Sequence, residues 1–199
     1  MKIKTMRKNL RILTLIFSSM SLLSCGQEKM YLNEEELADI NIYEVGDKLI
    51  FKNAETGETD TSRITKKEIY HENYDWFRHD GYQPQIAEIR YTNEKLIYDD
   101  NQEGGLIARK KRTPNDKIEF AVTFLYSLFT AHNELKVLDR LDLNLTDKSL
   151  NNVVVYYKEK NKRHKPKDDF KPQKLYWDSK YGIIKYETYG GDVWERINW

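Results

Sequence analysis

His71, Glu72, Asp75, His79 and Asp80 make the densest grouping in this chain of side chains able to ligate a metal or move a proton. Imidazole and carboxylate are ordinary zinc donors, but a site needs at least three of them in fixed geometry. The interval from His71 to His79 matches no helical ligand spacing. The group therefore reads as polar residues beside a strand end, with His71 and His79 the weak metal candidates; no resident metal and no other cofactor is expected. His132 and His164 stand singly and read as surface groups. The chain has no Gly-rich phosphate loop, no G-x-S-x-G, no H-E-x-x-H and no Cys/His nucleophile pair, so no catalytic residue can be named.

Tyr74, Trp76, Phe77 and Tyr82 surround Gly81 in what reads as a loop. Flat rings give a large contact area at small entropic loss, so these four could form a stacking platform for a sugar or peptide. They could equally fold over an open end of a sheet as a plug, the reading that exposed aromatic area favours. Two basic runs, 109–112 and 158–165, could meet anionic headgroups near a membrane, although charge runs usually form solvated faces.

Cys25, the single cysteine, closes the run Leu22-Leu23-Ser24-Cys25 after a basic segment (Lys2, Lys4, Arg7, Lys8, Arg11) and an apolar stretch from Ile12 to Leu23. That order is an export leader, too short to span a bilayer, which takes about 20 apolar residues. The run resembles the lipobox of bacterial lipoproteins, a likeness that covers residues 1 to 27. It implies a cleaved signal peptide over 1–24, a lipid-modified Cys25 as the first mature residue, a tether over 25–32 and a single β-rich domain over 33–199. Gly26 rather than Asp after the cysteine implies, by the same resemblance, residence at the outer membrane, on its periplasmic or surface face. Several acyl chains at about 0.8 kcal/mol per buried methylene would hold the protein firmly.

Of 33 Lys and Arg residues, five lie in the leader, which holds no Asp or Glu; the remaining 28 face 32 acidic residues, a formal balance of −4. A mildly acidic domain argues against nucleic acid as a partner. With no second cysteine, no disulfide can form within the chain, and 14 tyrosines suit strands with one wet face.

The elements follow from periodicity. Asn33 before Glu34-Glu35-Glu36 caps a short N-terminal helix. From Ile40 the helical pattern ends and period-two segments take over. Residues 47–53 and 59–72 pair across the turn at Gly57; 85–92 returns as 95–99; 106–111 is a further strand. Ile118, Phe120, Val122, Phe124, Tyr126 and Leu128 alternate so regularly that one long central strand is expected. Residues 135–145 read as strand in their second half, pairing with 152–158. The chain ends in 175–177, 183–188 and 193–199, with Gly190-Gly191 between the last two as a hairpin signal. Ile184 and Tyr186 are expected on one face, with Trp194 opposite. The predicted fold is mainly β, an antiparallel twisted β-sandwich or half-barrel with a short N-terminal helix. The stretch from Tyr176 to Tyr186, with Val193-Trp194-Glu195, resembles the ending of small β-rich outer-membrane lipoproteins of unknown function, a likeness of about two dozen residues that implies no activity.

Three functions remain in view: a non-catalytic envelope module holding a protein, glycan or lipid partner; an envelope hydrolase or metal-dependent enzyme using His71 and His79; and an immunity or inhibitor lipoprotein.

Overall fold

The computed structural model describes residues 28–73, 81–96, 104–110, 117–130, 136–160 and 164–199. In chain order the strands are β1 (Glu28–Lys29), β2 (Lys48–Asn53), β3 (Thr59–His71), β4 (Tyr82–Gln83), β5 (Gln85–Asn93), β6 (Gly104–Arg109), β7 (Glu119–Phe124), β8 (Ser127–Thr130), β9 (Lys136–Asn144), β10 (Ser149–Tyr157), β11 (Pro172–Asp178), β12 (Gly182–Thr188) and β13 (Val193–Arg196); α1 spans Glu34–Asn41. Eleven strands form one antiparallel sheet in the order β8-β7-β6-β5-β3-β2-β13-β12-β11-β10-β9, and β1 pairs with β4 in parallel.

Inward side chains alternate along each strand: Leu49 and Phe51 on β2, Ala87, Ile89 and Tyr91 on β5, Val122 and Phe124 on β7. Burying one such face forces a twisted sheet of this width to curl. It does so until the β7–β8 hairpin meets β11, where Ser127 Oγ donates to the Pro172 carbonyl at 2.7 Å and Phe120 lies edge-on to Trp177. Phe51, Phe124 and Tyr186 meet at the centre with ring centroids 5.2–5.8 Å apart, all edge-to-face. The result is a mainly β half-barrel with an aromatic cluster at its centre.

A second, smaller core lies on the other face of the sheet. The β9–β10 hairpin bends back, so that Leu145, Leu150, Val153 and Val155 pack with Tyr176 and Ile184. The Thr146 hydroxyl at the hairpin tip donates to Glu195 on β13 at 3.0 Å. Strand β10 is thus covered on both faces, with Val154 and Tyr156 turned to the main core.

Helix α1 closes one end of the half-barrel. Asn33 Oδ1 accepts from the Glu36 amide at 2.8 Å while Glu36 Oε2 accepts from the Asn33 amide at 3.1 Å, a reciprocal cap. Ile40 is fully buried below it, and the Tyr43 hydroxyl accepts from the Ile183 amide at 2.9 Å. That approach requires a glycine at 182, where φ is +71° and a Cβ would fall on the Tyr43 ring.

Several expectations hold. The capped helix, the hairpin at Gly57, the pairing of the second half of 135–145 with 152–158, and the final hairpin at Gly190-Gly191 are all present, the third extended to 136–144 with 149–157. Others need correction. The alternation from 118 to 128 is no central strand: it breaks at Leu125 (φ +45°) and Tyr126 (φ +64°) into a two-residue turn, and β8 is the outermost strand. Two successive left-handed residues match the twist of a tight hairpin, here without the usual glycine or asparagine. Ile184 and Tyr186 do not share a face. The register between β11 and β12 skips at Ile184, which turns to the second core while Ile183 and Tyr186 face the first. In the segment expected as a tether, Glu28–Lys29 forms β1, and Met30 and Leu32 are buried. Residue 95 lies in a bend with 94, and 96 in no regular element, rather than starting a return strand; 97–99 lie outside the described residues.

Candidate functional site

Strands β5 and β12 both run from the helix-capped end to the opposite end of the half-barrel, where β3 begins and β13 follows a tight turn. At that opposite end is a half-open cavity of about 180 Å³. Its floor is a buried polar cluster. Asn93 Nδ2 donates to Asp60 Oδ1 at 2.8 Å and to Ser62 Oγ at 3.2 Å, and the Tyr186 hydroxyl donates to Asp60 Oδ2 at 3.2 Å. Burying a carboxylate is costly unless donors surround it, and Asn93 and Tyr186 meet that need from two other strands.

The walls are aromatic and aliphatic. The Trp194 ring lies parallel to that of Tyr186, 5.8 Å between centroids and 7° between planes, and Leu96, Leu125 and Phe170 complete the apolar lining. Leu125 is held in its left-handed conformation by Tyr91, whose hydroxyl accepts from the Leu125 amide at 3.0 Å and donates to the Thr123 carbonyl at 2.8 Å. Gly104 makes room for the Tyr91 ring, since a Cβ there would collide with it. A sterically disfavoured turn is thereby fixed by the core and presented to the cavity.

The rim is charged. Asn93 Oδ1 accepts from the amides of Lys95 and Leu96 at 2.9 and 3.1 Å, fixing the bend that carries Lys95. Asn53 does the same for the Glu55 and Thr56 amides in the turn that carries Glu58. Asp192 sits in the β12–β13 turn, its amide donating to Thr188 Oγ1 at 3.1 Å. Lys95 Nζ lies 3.9 Å from Glu58 Oε2 and 5.6 Å from the centre of the Trp194 ring. Glu58 and Asp192 thus stand on the rim with the Lys95 ammonium above an apolar sleeve, and the Thr188 hydroxyl donates to Asp192 Oδ2 at 3.4 Å.

Residues singled out from sequence lie elsewhere or outside the described residues. His71 ends β3, edge-on to Tyr31 with centroids 4.8 Å apart, and its buried Nε2 has no hydrogen-bond partner among the described residues. Glu72 beside it is ion-paired with Arg109. Among the described residues no group of three His, Cys, Asp or Glu is placed to hold a metal. His79, Asp75, Tyr74, Trp76, Phe77, His132 and Cys25 lie outside the described residues. Tyr82 is half-buried on β4, beside β1 and away from the cavity.

In the basic runs, Lys160 and Lys165 are exposed, as charge runs usually are, but Lys110 and His164 are not. Lys110 is buried with Nζ 2.5 Å from Glu36 Oε2, tying β6 to the cap of α1. His164 is no surface group: its side chain is 9% exposed, packs on Tyr189, and places Nε2 2.6 Å from Asp169 Oδ1. That hydrogen bond, with Lys160 nearby, holds the Asp169 carboxyl below the usual carboxylate range.

Sequence reasoning placed Trp194 across from Tyr186 but missed Asp60, Asn93 and Lys95 as site residues. A signal was there for Asp60. It occupies the same face of β3 as Ser62 and Ile64, so an acid was bound to point inward.

No family model, curated protein or solved structure matches this chain. No helix among the described residues is long and apolar enough to cross a membrane.

Proposed function

We propose that this protein is a lipid-anchored lipoprotein of the bacterial outer membrane, attached through Cys25, whose folded domain is a non-catalytic binding module. The observation that carries the binding role is the mouth of the half-barrel: a preformed cavity with an aromatic wall, a hydrogen-bonded polar floor and a charged rim. Support for the anchor is the leader and the Leu22-Leu23-Ser24-Cys25 run.

The test has two parts on the full chain expressed in a double-membraned bacterium. Mass spectrometry of the protein from the membrane fraction should find residues 1–24 absent and acyl chains on Cys25, and Cys25→Ser should release the protein from that fraction. An unmodified thiol on membrane-recovered protein would end the anchoring half of the proposal. For the binding half, detergent-extracted protein labelled with ¹⁵N should show shifts of the Trp194 indole N–H on titration with a panel of small amines, sugars and capped amino acids. No shift with any of them would end it.

A further inference from the structure

Lys95 places its own ammonium at the spot in the mouth best suited to a positive group. One face of Trp194 is stacked on Tyr186, and the ammonium sits 5.6 Å from the ring centre, within reach of the negative potential over an indole face. The same ammonium is 3.9 Å from Glu58, at the outer limit of an ion pair, and the Lys95 side chain remains 53% exposed. An exposed pair of this kind contributes little and is easily exchanged. Lys95 is therefore a loosely held occupant of a cation-attracting position.

The rest of the cavity suits the same chemistry. Asp192 adds a second rim carboxylate to that of Glu58, above Asp60, whose two oxygens already accept from Asn93 and Tyr186. Leu96, Leu125 and Phe170 offer an apolar sleeve below the rim, as a methylene stem requires when its charged head stays near water. The half-open volume of about 180 Å³ has room for one side-chain-sized group.

We propose that the mouth cavity binds a single alkylammonium or guanidinium group on an aliphatic stem, and that Lys95 is an internal competitor displaced when that group enters. This rests on the binding-module reading above and specifies its ligand. The group could belong to a free amine or to a lysine or arginine of a partner protein.

The test titrates the detergent-extracted full chain with Nα-acetyl-lysine methylamide, its arginine counterpart and cadaverine, against the neutral Nα-acetyl-norleucine methylamide and methyl glucoside, following the Trp194 indole N–H. The cationic probes should bind at least roughly tenfold more tightly than norleucine, with affinity falling as salt rises. Lys95→Met should tighten cation binding by roughly three- to tenfold, because the competitor is gone. Glu58→Gln and Asp192→Asn should each weaken it by roughly threefold. Cadaverine equal to the capped lysine points to a free amine as the source, and a preference for the capped residues points to a protein; either supports the proposal. Norleucine or the glucoside binding as tightly as lysine, or Lys95→Met weakening the cations, overturns the cationic ligand while leaving the binding module standing. Silence from every probe overturns both.

Discussion

The two ends of the half-barrel use the same kinds of side chain to opposite effect. Under α1, Asp39 accepts from Trp177 Nε1 at 3.0 Å, Glu36 takes both the helix cap and Lys110, and Tyr43 reaches the Ile183 amide. Burial raises the Asp39 carboxyl above its ordinary range, partly offset by the Trp177 hydrogen bond, and burial likewise pushes the Tyr43 hydroxyl up. At the other end an aspartate, a tyrosine and a tryptophan again come together, but Asp60, Tyr186 and Trp194 border open space and rim charges. Polar groups buried against one another lock an end shut; the same groups beside a void leave it receptive.

The contrast can be broken at its shared centre. Phe51 touches both Phe124 and Tyr186, so Phe51→Ala should cost about 3–5 kcal/mol in denaturant unfolding and abolish the distinction between the ends. Gly182→Ala should act on the closed end alone, at about 3 kcal/mol, since it combines a left-handed backbone with a collision on Tyr43. Titration of that variant's Trp194 indole should remain as in the parent; a lost response would mean the ends are coupled. Tyr91→Phe removes two hydrogen bonds from the Leu125 turn and should cost about 1–2 kcal/mol, with faster amide exchange at Leu125 and little change at Ile183.

The smallest effect belongs to the outer face of β12. Burial alone would raise the Glu187 carboxyl, but hydrogen bonds from Lys174 at 2.7 Å and Tyr176 at 2.5 Å outweigh it and hold the group below its ordinary value. A lowered acid contributes stability that is present above the unfolded-state value and lost as pH falls through the folded one. Glu187→Gln should therefore cost about 1 kcal/mol at pH 7 and progressively less below the usual carboxylate range, as read from unfolding midpoints against pH. A difference independent of pH would assign the cost to packing with Tyr176 instead.

What was legible in the sequence was local. Asn33 before three glutamates, Gly57 and Gly190-Gly191 announce their cap and turns because the physics is carried by neighbours in the chain. The break at Leu125-Tyr126 was illegible, because no residue there favours a positive φ; the support comes from Tyr91, 34 residues away. The skip at Ile184 likewise depends on pairing with β11, so period two misassigned its face. The cavity shares that origin. Asp60, Asn93 and Tyr186 become a cluster only through the register of β3 with β5 and the curl that brings β12 opposite them, which no spacing along one strand encodes.

The parallel pairing of Glu28–Lys29 with Tyr82–Gln83 sets where the preceding chain can leave the domain. Strand β5 starts two residues beyond that pair and reaches the cavity at Asn93, a run of about 26 Å at 3.3 Å per residue. Under the proposed attachment through Cys25 the domain would be gripped at its heel, and its receptive end would look outward to meet arrivals from solution before they touch the surface behind it.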